Sequence, residues 1–189
     1  MTDTKSYAKD IRSVLDFKRY VSLIASIGNQ LDDPKDRFDK STIIERSIEV
    51  YSNKRLEFVD GVGRDHYDTK LDLDLEFKFA SNVMFSEKRK NPKKLVKVKL
   101  KNSLGSHKGT KIANPADYYM IGQQDAIAII SWKDIQPYLV AVPDGIEAHI
   151  PFGKLSFVFL PHEVEANSKL DVNYKRIKAE AQLRLIESI

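Results

Sequence analysis

The sequence predicts one α/β (α+β) domain over residues 1–189, with a mixed central sheet flanked by helices. Apolar residues recur at helical spacing in the first third of the chain, and residues 70–80 alternate strictly between apolar and charged side chains. A length of 189 residues suits a single domain with a sizeable core. We therefore expect N-terminal helices over 6–53, a sheet over 54–160 and a C-terminal helix over 171–188.

Two helices are expected before the sheet. Residues 6–27 carry an apolar stripe at helical spacing and predict one long helix. Residues 42–53 predict a second, because Thr42 and Glu45 have the spacing of a capping box at its start.

The apolar period changes to two after residue 53. Residues 63–68 (GRDHYD) are rich in turn formers. Ser131 with Asp134 predicts a capped helical turn before Pro137. Runs of alternating or continuously apolar residues predict strands at 54–62, 70–80, 95–101, 118–121, 126–130, 138–142 and 155–160.

The strand predicted over 70–80 presents one charged face. The side chains of this row are Asp72, Asp74, Glu76 and Lys78. Such a face is costly to bury unless it meets water, a metal or a charged ligand. Glu76 and Lys78 are two residues apart, so they lie side by side on the strand.

A further acid comes from the segment before this strand. If the chain reverses near residues 68–70, Asp65 falls opposite about residues 73–75 and Glu76 is within reach. Asp60 and Asp68 remain open as alternatives to Asp65. Asp74 lies on the same face as Glu76 and could join the site, but we expect a surface acid paired with a nearby lysine. His66 is a candidate for phosphate contact.

The charge of the chain is concentrated in one segment. The net charge is +4, but residues 87–111 hold ten Lys or Arg against Glu87, which gives +9 there and leaves −5 elsewhere. Such a segment predicts a polyanionic partner. The residues expected to contact phosphates or base edges are Lys97, Lys99, Lys101, Asn102, Ser103, Ser106, His107, Lys108 and Lys111. For strand 95–101, the alternative is an edge strand that lysines protect from aggregation.

Composition excludes several classes of protein. The chain has no cysteine, which excludes a disulfide scaffold, a thiol nucleophile and a zinc-finger site. The polar N-terminus does not look like a signal peptide, and no apolar run approaches the length of a bilayer span. We expect a cytoplasmic protein with no membrane partner. No phosphate-binding glycine motif is present, so no nucleotide cofactor is expected.

An acid followed about ten residues later by Glu-x-Lys suits metal-dependent cleavage of phosphodiesters. Two carboxylates can hold a hard divalent cation, and the lysine can stabilise developing negative charge. On the Gly-Arg-Asp65…Glu76-Phe77-Lys78 hairpin, the preceding helix and the apolar strands 118–130, the chain resembles the PD-(D/E)XK nuclease superfamily. It is most similar to type II restriction endonucleases, over about residues 41–142.

This resemblance implies a restriction-endonuclease-like fold, Mg2+ as cofactor, double-stranded DNA as substrate and a homodimer. It implies that Asp65, Glu76 and the Phe77 carbonyl bind the metal, and that Lys78 assists hydrolysis. The family sometimes adds an acid from the preceding helix, where Glu45 and Glu49 stand, but we leave both out of the core site. Two other functions remain open: a structure-specific repair or junction-resolving nuclease, and a non-catalytic nucleic-acid-binding protein.

Overall fold

The computed structural model of the chain describes residues 3–16, 18–20, 22–23, 37–61, 63–79, 95–102, 112, 114–123, 126–143 and 145–159. For residues 37–41, 60, 61, 79, 101, 102 and 123 it describes the backbone alone. The predicted C-terminal helix 171–188 lies outside these ranges. Within them, no helix has the length and apolar character needed to cross a bilayer.

The first predicted helix is shorter than expected. Helix α1 spans Thr4–Val14, and the Asp3 carboxylate accepts a hydrogen bond from the Ser6 N–H at its start. The chain leaves the helix before Asp16, whose N–H donates to the Tyr51 carbonyl at 2.8 Å. The Asp16 carboxylate then accepts from the Arg19 N–H at 3.1 Å. The single helix predicted over 6–27 is therefore wrong, because an aspartate inside the apolar stripe caps a new helical turn.

Helix α2 spans Arg37–Tyr51 and begins before the predicted Thr42. Thr42 and Glu45 consequently lie inside the helix, and the predicted capping box is wrong. The helix ends where Asn53 and Lys54 adopt left-handed backbone angles, with φ of 53° and 62°.

Six strands form the main sheet, in the order β1-β2-β3-β5-β6-β9. All neighbouring pairs are antiparallel except β3 and β5, which are parallel. The predicted mixed α/β architecture is confirmed, with a mainly antiparallel sheet. The strands are β1 Leu56–Gly61, β2 Arg64–Asp68, β3 Leu73–Phe79, β5 Tyr118–Gln123, β6 Ala126–Ser131 and β9 Ser156–Phe159.

The segment predicted as a turn, 63–68, is mostly strand β2. The reversal occurs over residues 69–72, where Asp72 has φ of 57°. Pairing of His66 with Leu75 and of Asp68 with Leu73 then sets the register of the hairpin. Because β3 begins only at Leu73, Asp72 belongs to the turn and not to the predicted row of charged side chains.

A second, three-stranded antiparallel sheet accompanies the main one, in the order β4-β8-β7. Its strands are β4 Leu95–Asn102, β7 Leu139–Val142 and β8 Gly145–Pro151. The sequence predicted β4 and β7, but the prediction of a single sheet is wrong. It also missed β8, although Ile146, Ala148 and Ile150 alternate with polar residues there. Between β6 and β7, the short helix α3 spans Trp132–Ile135 and is capped by Ser131 as predicted.

The main sheet buries both of its faces. One face packs its apolar side chains, such as Leu75, Phe77 and Met120, against helices α1 and α2. The other face packs Tyr119 and Ile121 with residues of the second sheet. Burial on both sides explains why β5 and β6 read as continuous apolar runs. The chain is thus layered as helices, main sheet and second sheet.

Candidate functional site

Strand β3 presents two side chains of opposite charge on the face turned toward the second sheet. Leu75 and Phe77 are buried on the helix face, and alternation places Glu76 and Lys78 on the other. The side chain of Glu76 is 11% exposed and that of Lys78 is 25% exposed, so both charges are largely shielded from solvent. Glu76 pairs in register with the buried Tyr119 of β5, which belongs to the second apolar cluster.

Asp65 reaches this place from strand β2. The described β2–β3 pairing ends at His66 and Leu75. Beyond it, the main-chain N–H of Phe77 donates to Asp65 Oδ2 at 2.7 Å. The carboxylate thus occupies a position that a carbonyl of β2 would fill in a regular ladder. This bond uses Oδ2 and leaves Oδ1 for another ligand.

Lys78 contacts both acids. Its Nζ forms an ion pair with Glu76 Oε1 and lies 3.7 Å from Asp65 Oδ2. Burial lowers the pKa of Lys78, but the charges of Asp65 and Glu76 raise it by more, so the net shift is upward. Lys78 is therefore a cation at neutral pH.

The carboxylate of Glu76 is buried and only partly satisfied by hydrogen bonds. Its Oε2 atom is buried and has no hydrogen-bond partner among the described residues. Burial raises the pKa of Glu76, Lys78 lowers it, and Asp65 raises it again. A buried carboxylate oxygen without a partner is costly, so Glu76 Oε2 is a candidate ligand atom.

Glu45 of helix α2 is close enough for its charge to interact with the group, although we left it out of the core site. Burial raises the pKa of Glu45 to about 7, and the charges of Asp65 and then Glu76 add to the effect while Lys78 opposes it. Glu45 is twenty residues from Asp65 in the sequence, so the sequence alone does not place it beside this group. Only the packing of α2 beside β1 and β2 brings it here.

His66 does not serve the group as a phosphate ligand. Its ring is 1% exposed, and Nε2 lies 2.7 Å from the Glu45 carbonyl oxygen. Burial lowers the pKa of His66, which favours the neutral ring. The imidazole is a packed link between α2 and β2.

The alternatives to Asp65 lie elsewhere. Asp68 is fully buried and accepts hydrogen bonds from Arg55 and from the Tyr7 hydroxyl, the latter at 2.9 Å. Asp60 is on β1, which β2 separates from β3. Asp74 pairs with Arg64 at 3.0 Å, where we expected a lysine. Of the acids considered in this hairpin, the structure brings Asp65 together with Glu76 and Lys78.

The lysine row of β4 does not face the three charged side chains. Val96 and Val98 pack into the second cluster, so Lys97 and Lys99 point away from the main sheet. Although β4 packs against β3, the side chains of Lys97 and Lys99 therefore do not join Asp65, Glu76 and Lys78. They lie opposite His149 and Glu147 of β8, and β4 is an edge strand, as in the alternative interpretation.

The rest of the predicted DNA-binding set cannot be placed in this way. Lys101 and Asn102 are described as backbone of β4, and a register shift between Lys99 and Lys101 interrupts the alternation. The residues Ser103, Ser106, His107, Lys108 and Lys111 lie outside the described residues.

The donor set suits a hard divalent cation. Among the described residues, no three His, Asp or Glu side chains converge as a ready metal cluster. However, Asp65 and Glu76 supply carboxylate oxygens, and Glu76 Oε2 lacks a partner there. Carboxylate oxygens of this kind are the ligands that Mg2+ favours.

No family model, curated protein or solved structure matches the chain.

Proposed function

We propose that this chain is a Mg2+-dependent type II endonuclease, which hydrolyses phosphodiester bonds of double-stranded DNA at a specific site. The observation that supports it most strongly is the grouping of Asp65, Glu76 and Lys78. Two carboxylates from adjacent strands meet at one lysine, and one carboxylate oxygen is buried without a partner among the described residues. A merely solvated charged face has no reason to bury these groups.

Asp65, Glu76 and the Phe77 carbonyl would hold the metal. When bound, Mg2+ would lower the pKa of a water molecule and offset negative charge on the scissile phosphate. The hydrogen bond from the Phe77 N–H fixes the Asp65 carboxylate beside β3. Burial of Glu76 limits competing solvent, and its closeness to Asp65 gives the cation two anionic partners.

Lys78 would act as a cation and hydrogen-bond donor. The two neighbouring carboxylates hold its pKa above the ordinary value for lysine, so it keeps its proton at neutral pH. A protonated lysine cannot take a proton from water. It can orient the attacking water and stabilise the anionic phosphorane-like transition state.

The partners follow from the chemistry of the proposed reaction. A duplex cutter needs one site for each strand, so a homodimer with two-fold symmetry matches a palindromic target. DNA is also the polyanion that the charge of residues 87–111 favours. A restriction enzyme works on intruding DNA in the cytoplasm, where we place the chain.

The decisive experiment is a plasmid digest with Mg2+ and an EDTA control, followed by sequencing of the ends. Discrete fragments with one common end sequence support the proposal. Glu76→Gln should abolish cleavage while DNA binding survives, and the exposed Glu57→Gln should behave like wild type.

Other outcomes would contradict it. Cleavage confined to branched substrates would instead identify a junction-resolving or repair nuclease. DNA binding without any Mg2+-dependent cleavage would identify a non-catalytic binding protein.

A further inference from the structure

Gly63 lies two residues before Asp65, and its backbone closely approaches another part of the chain. Its φ of +85° belongs to the left-handed region that favours glycine. A Cβ atom at this position would stand 2.8 Å from the carbonyl oxygen of Asn114. The backbone at Gly63 therefore rests directly on the backbone at Asn114, and no side chain fits between them.

The segment 114–117, which we call the bracket, is itself attached to the sheet. The Asp117 carboxylate accepts a hydrogen bond from the Asp74 N–H of β3 at 3.0 Å. The Asp117 carbonyl accepts from the Trp132 N–H at 2.8 Å.

The hydrogen bond from Asp74 attaches the bracket to β3, the strand that carries Glu76 and Lys78. Asp74 precedes Glu76 on β3, and β3–β5 pairing begins at Leu75 with Tyr118, directly after Asp117. The Asp117 carboxylate thus accepts a hydrogen bond from the N–H of Asp74, the residue just before the β3–β5 pairing begins.

The main-chain ladder alone does not fix Asp65. The described β2–β3 pairs end at His66 and Leu75, and the Phe77 N–H bonds the Asp65 carboxylate just beyond them. The end of β2 is also held at Arg64, which pairs with Gly61 of β1 and forms an ion pair with Asp74 of β3 at 3.0 Å. The contact of Gly63 with the bracket adds a main-chain support on the N-terminal side of Asp65.

We infer that Gly63 and Asp117 are positioning residues, which hold the Asp65 carboxylate in register with Glu76 and Lys78. Contact with the bracket fixes where the backbone of residues 63–65 lies relative to β3. The hydrogen bond from the Phe77 N–H then fixes the Asp65 carboxylate itself. The catalytic consequence rests on the proposed nuclease function, whereas the placement of Asp65 does not.

The test measures amide hydrogen exchange of Phe77 by NMR, which reports its bond to Asp65 directly. Asp65→Ala gives the rate with the bond absent. Asp117→Ala should speed the exchange of Phe77 about tenfold, since a lost hydrogen bond of about 1.4 kcal/mol corresponds to that factor. Asp117→Asn retains an acceptor oxygen and should restore a near wild-type rate. The buried Ile129 amide of β6 serves as the control for overall stability.

Gly63→Ala is the second variant, and it should accelerate Phe77 in the same way because its Cβ displaces the turn. The inference is overturned if Phe77 exchanges at the wild-type rate in Asp117→Ala. It is equally overturned if Ile129 accelerates as much as Phe77, or if Asp117→Asn fails to rescue.

Plasmid cleavage by the same proteins separates this inference from the proposed function. In an active enzyme, Asp117→Ala should lower kcat at least tenfold and leave KM for DNA within about twofold, and Asp117→Asn should recover kcat. If the wild type cleaves nothing but the exchange pattern holds, the nuclease proposal fails and the positioning of Asp65 stands. If the wild type cleaves and Asp117→Ala matches it in both measurements, the positioning role fails alone.

Discussion

The guanidinium of Arg55 holds the carboxylate of Asp68 with two hydrogen bonds in the protein interior. Nε donates at 3.2 Å and Nη2 at 3.0 Å, and Asp68 is fully buried. Asp10 of α1 accepts from the same Nη2 at 2.5 Å. Together with the Tyr7 hydroxyl, this ion pair fastens α1 to the β2–β3 turn. Asp68 is thus a structural acid, three residues from the proposed functional one.

Asp68→Asn should lower the free energy of unfolding by about 3 kcal/mol. Removing one partner of a buried ion pair costs about 3–5 kcal/mol, and the lower end applies because Asp10 still contacts Arg55. Urea unfolding followed by circular dichroism measures it. Asp74→Asn is the control, because it removes one charge from the more exposed pair with Arg64 and should change the unfolding free energy by less than about 1 kcal/mol. Equal losses in the two variants would contradict the structural role of Asp68.

The sequence predicts local elements here better than it predicts their partners. Alternation located β3 and β4, and continuous apolar runs located β5 and β6. Counting residues back from Glu76 also placed Asp65 near it. These predictions succeed because period and hairpin register are local properties.

The assignment of strands to two sheets was not predictable in the same way. β4 pairs with β8, and more than forty residues separate them in sequence. Lys97 and Lys99 share one face of β4 as predicted, whereas a register shift separates Lys101 from them, and which side that face takes depends on this long-range pairing. The role of Glu45 depends likewise on how α2 packs on the sheet.

Stability should fall as the pH rises through the titration of Glu45. Its pKa in the folded protein is about 7, mainly because of burial, against an ordinary 4.5. Between these values the folded state retains a proton that the unfolded state releases, so the free energy of unfolding decreases with pH. Glu45→Gln removes this dependence and should gain about 2 kcal/mol over wild type between pH 5 and pH 8. The displacement of the pKa corresponds to about 3 kcal/mol, and solvent at a partly exposed side chain reduces it.

Urea unfolding at the two pH values measures this effect. His66, whose lowered pKa favours stability at higher pH, acts in the opposite direction in both proteins, so it cancels in the comparison. Glu57→Gln, an exposed glutamate replaced in the same way, should follow wild type at both pH values. A Glu45→Gln protein with the wild-type pH slope would contradict the upward shift.

Mg2+ should stabilise the protein without any DNA. An ion that binds only the folded state adds about 2.7 kcal/mol at one hundred times its Kd. The increase in the thermal midpoint should disappear in Glu76→Gln and in Asp65→Asn, and EDTA should reverse it in wild type. Asp74→Asn keeps both proposed ligands and should retain the increase. Scanning calorimetry with and without Mg2+ measures the effect, and equal stabilisation of wild type and Glu76→Gln would place the ion elsewhere.

DNA affinity should depend on the outer face of β4. Lys97→Ala or Lys99→Ala should weaken binding and reduce the slope of log K against log salt by about 0.9 for each phosphate that the variant no longer neutralises. Lys9→Ala, on the exposed side of α1, is the control and should leave the slope unchanged. Fluorescence anisotropy over a salt series, with Ca2+ in place of Mg2+, measures binding without cleavage. Identical slopes in all variants would assign DNA binding to another part of the chain.

Lys78 and Glu76 should be energetically coupled even without metal or DNA. Lys78→Met removes the cation that contacts both carboxylates, so it should lower the free energy of unfolding by about 2 kcal/mol. Glu76→Gln should be nearly neutral, because it discharges a buried group whose pKa burial has already raised. In the double variant the loss should shrink, giving a coupling energy of about 1–2 kcal/mol. Urea unfolding in EDTA measures the cycle.

Arg64 and Asp74 provide the control, because this more exposed pair at 3.0 Å should couple by less than about 1 kcal/mol. A coupling of Lys78 with Glu76 no larger than that control would mean that the buried pair contributes no more than a surface pair, and the unusual electrostatics of the site would lose their support.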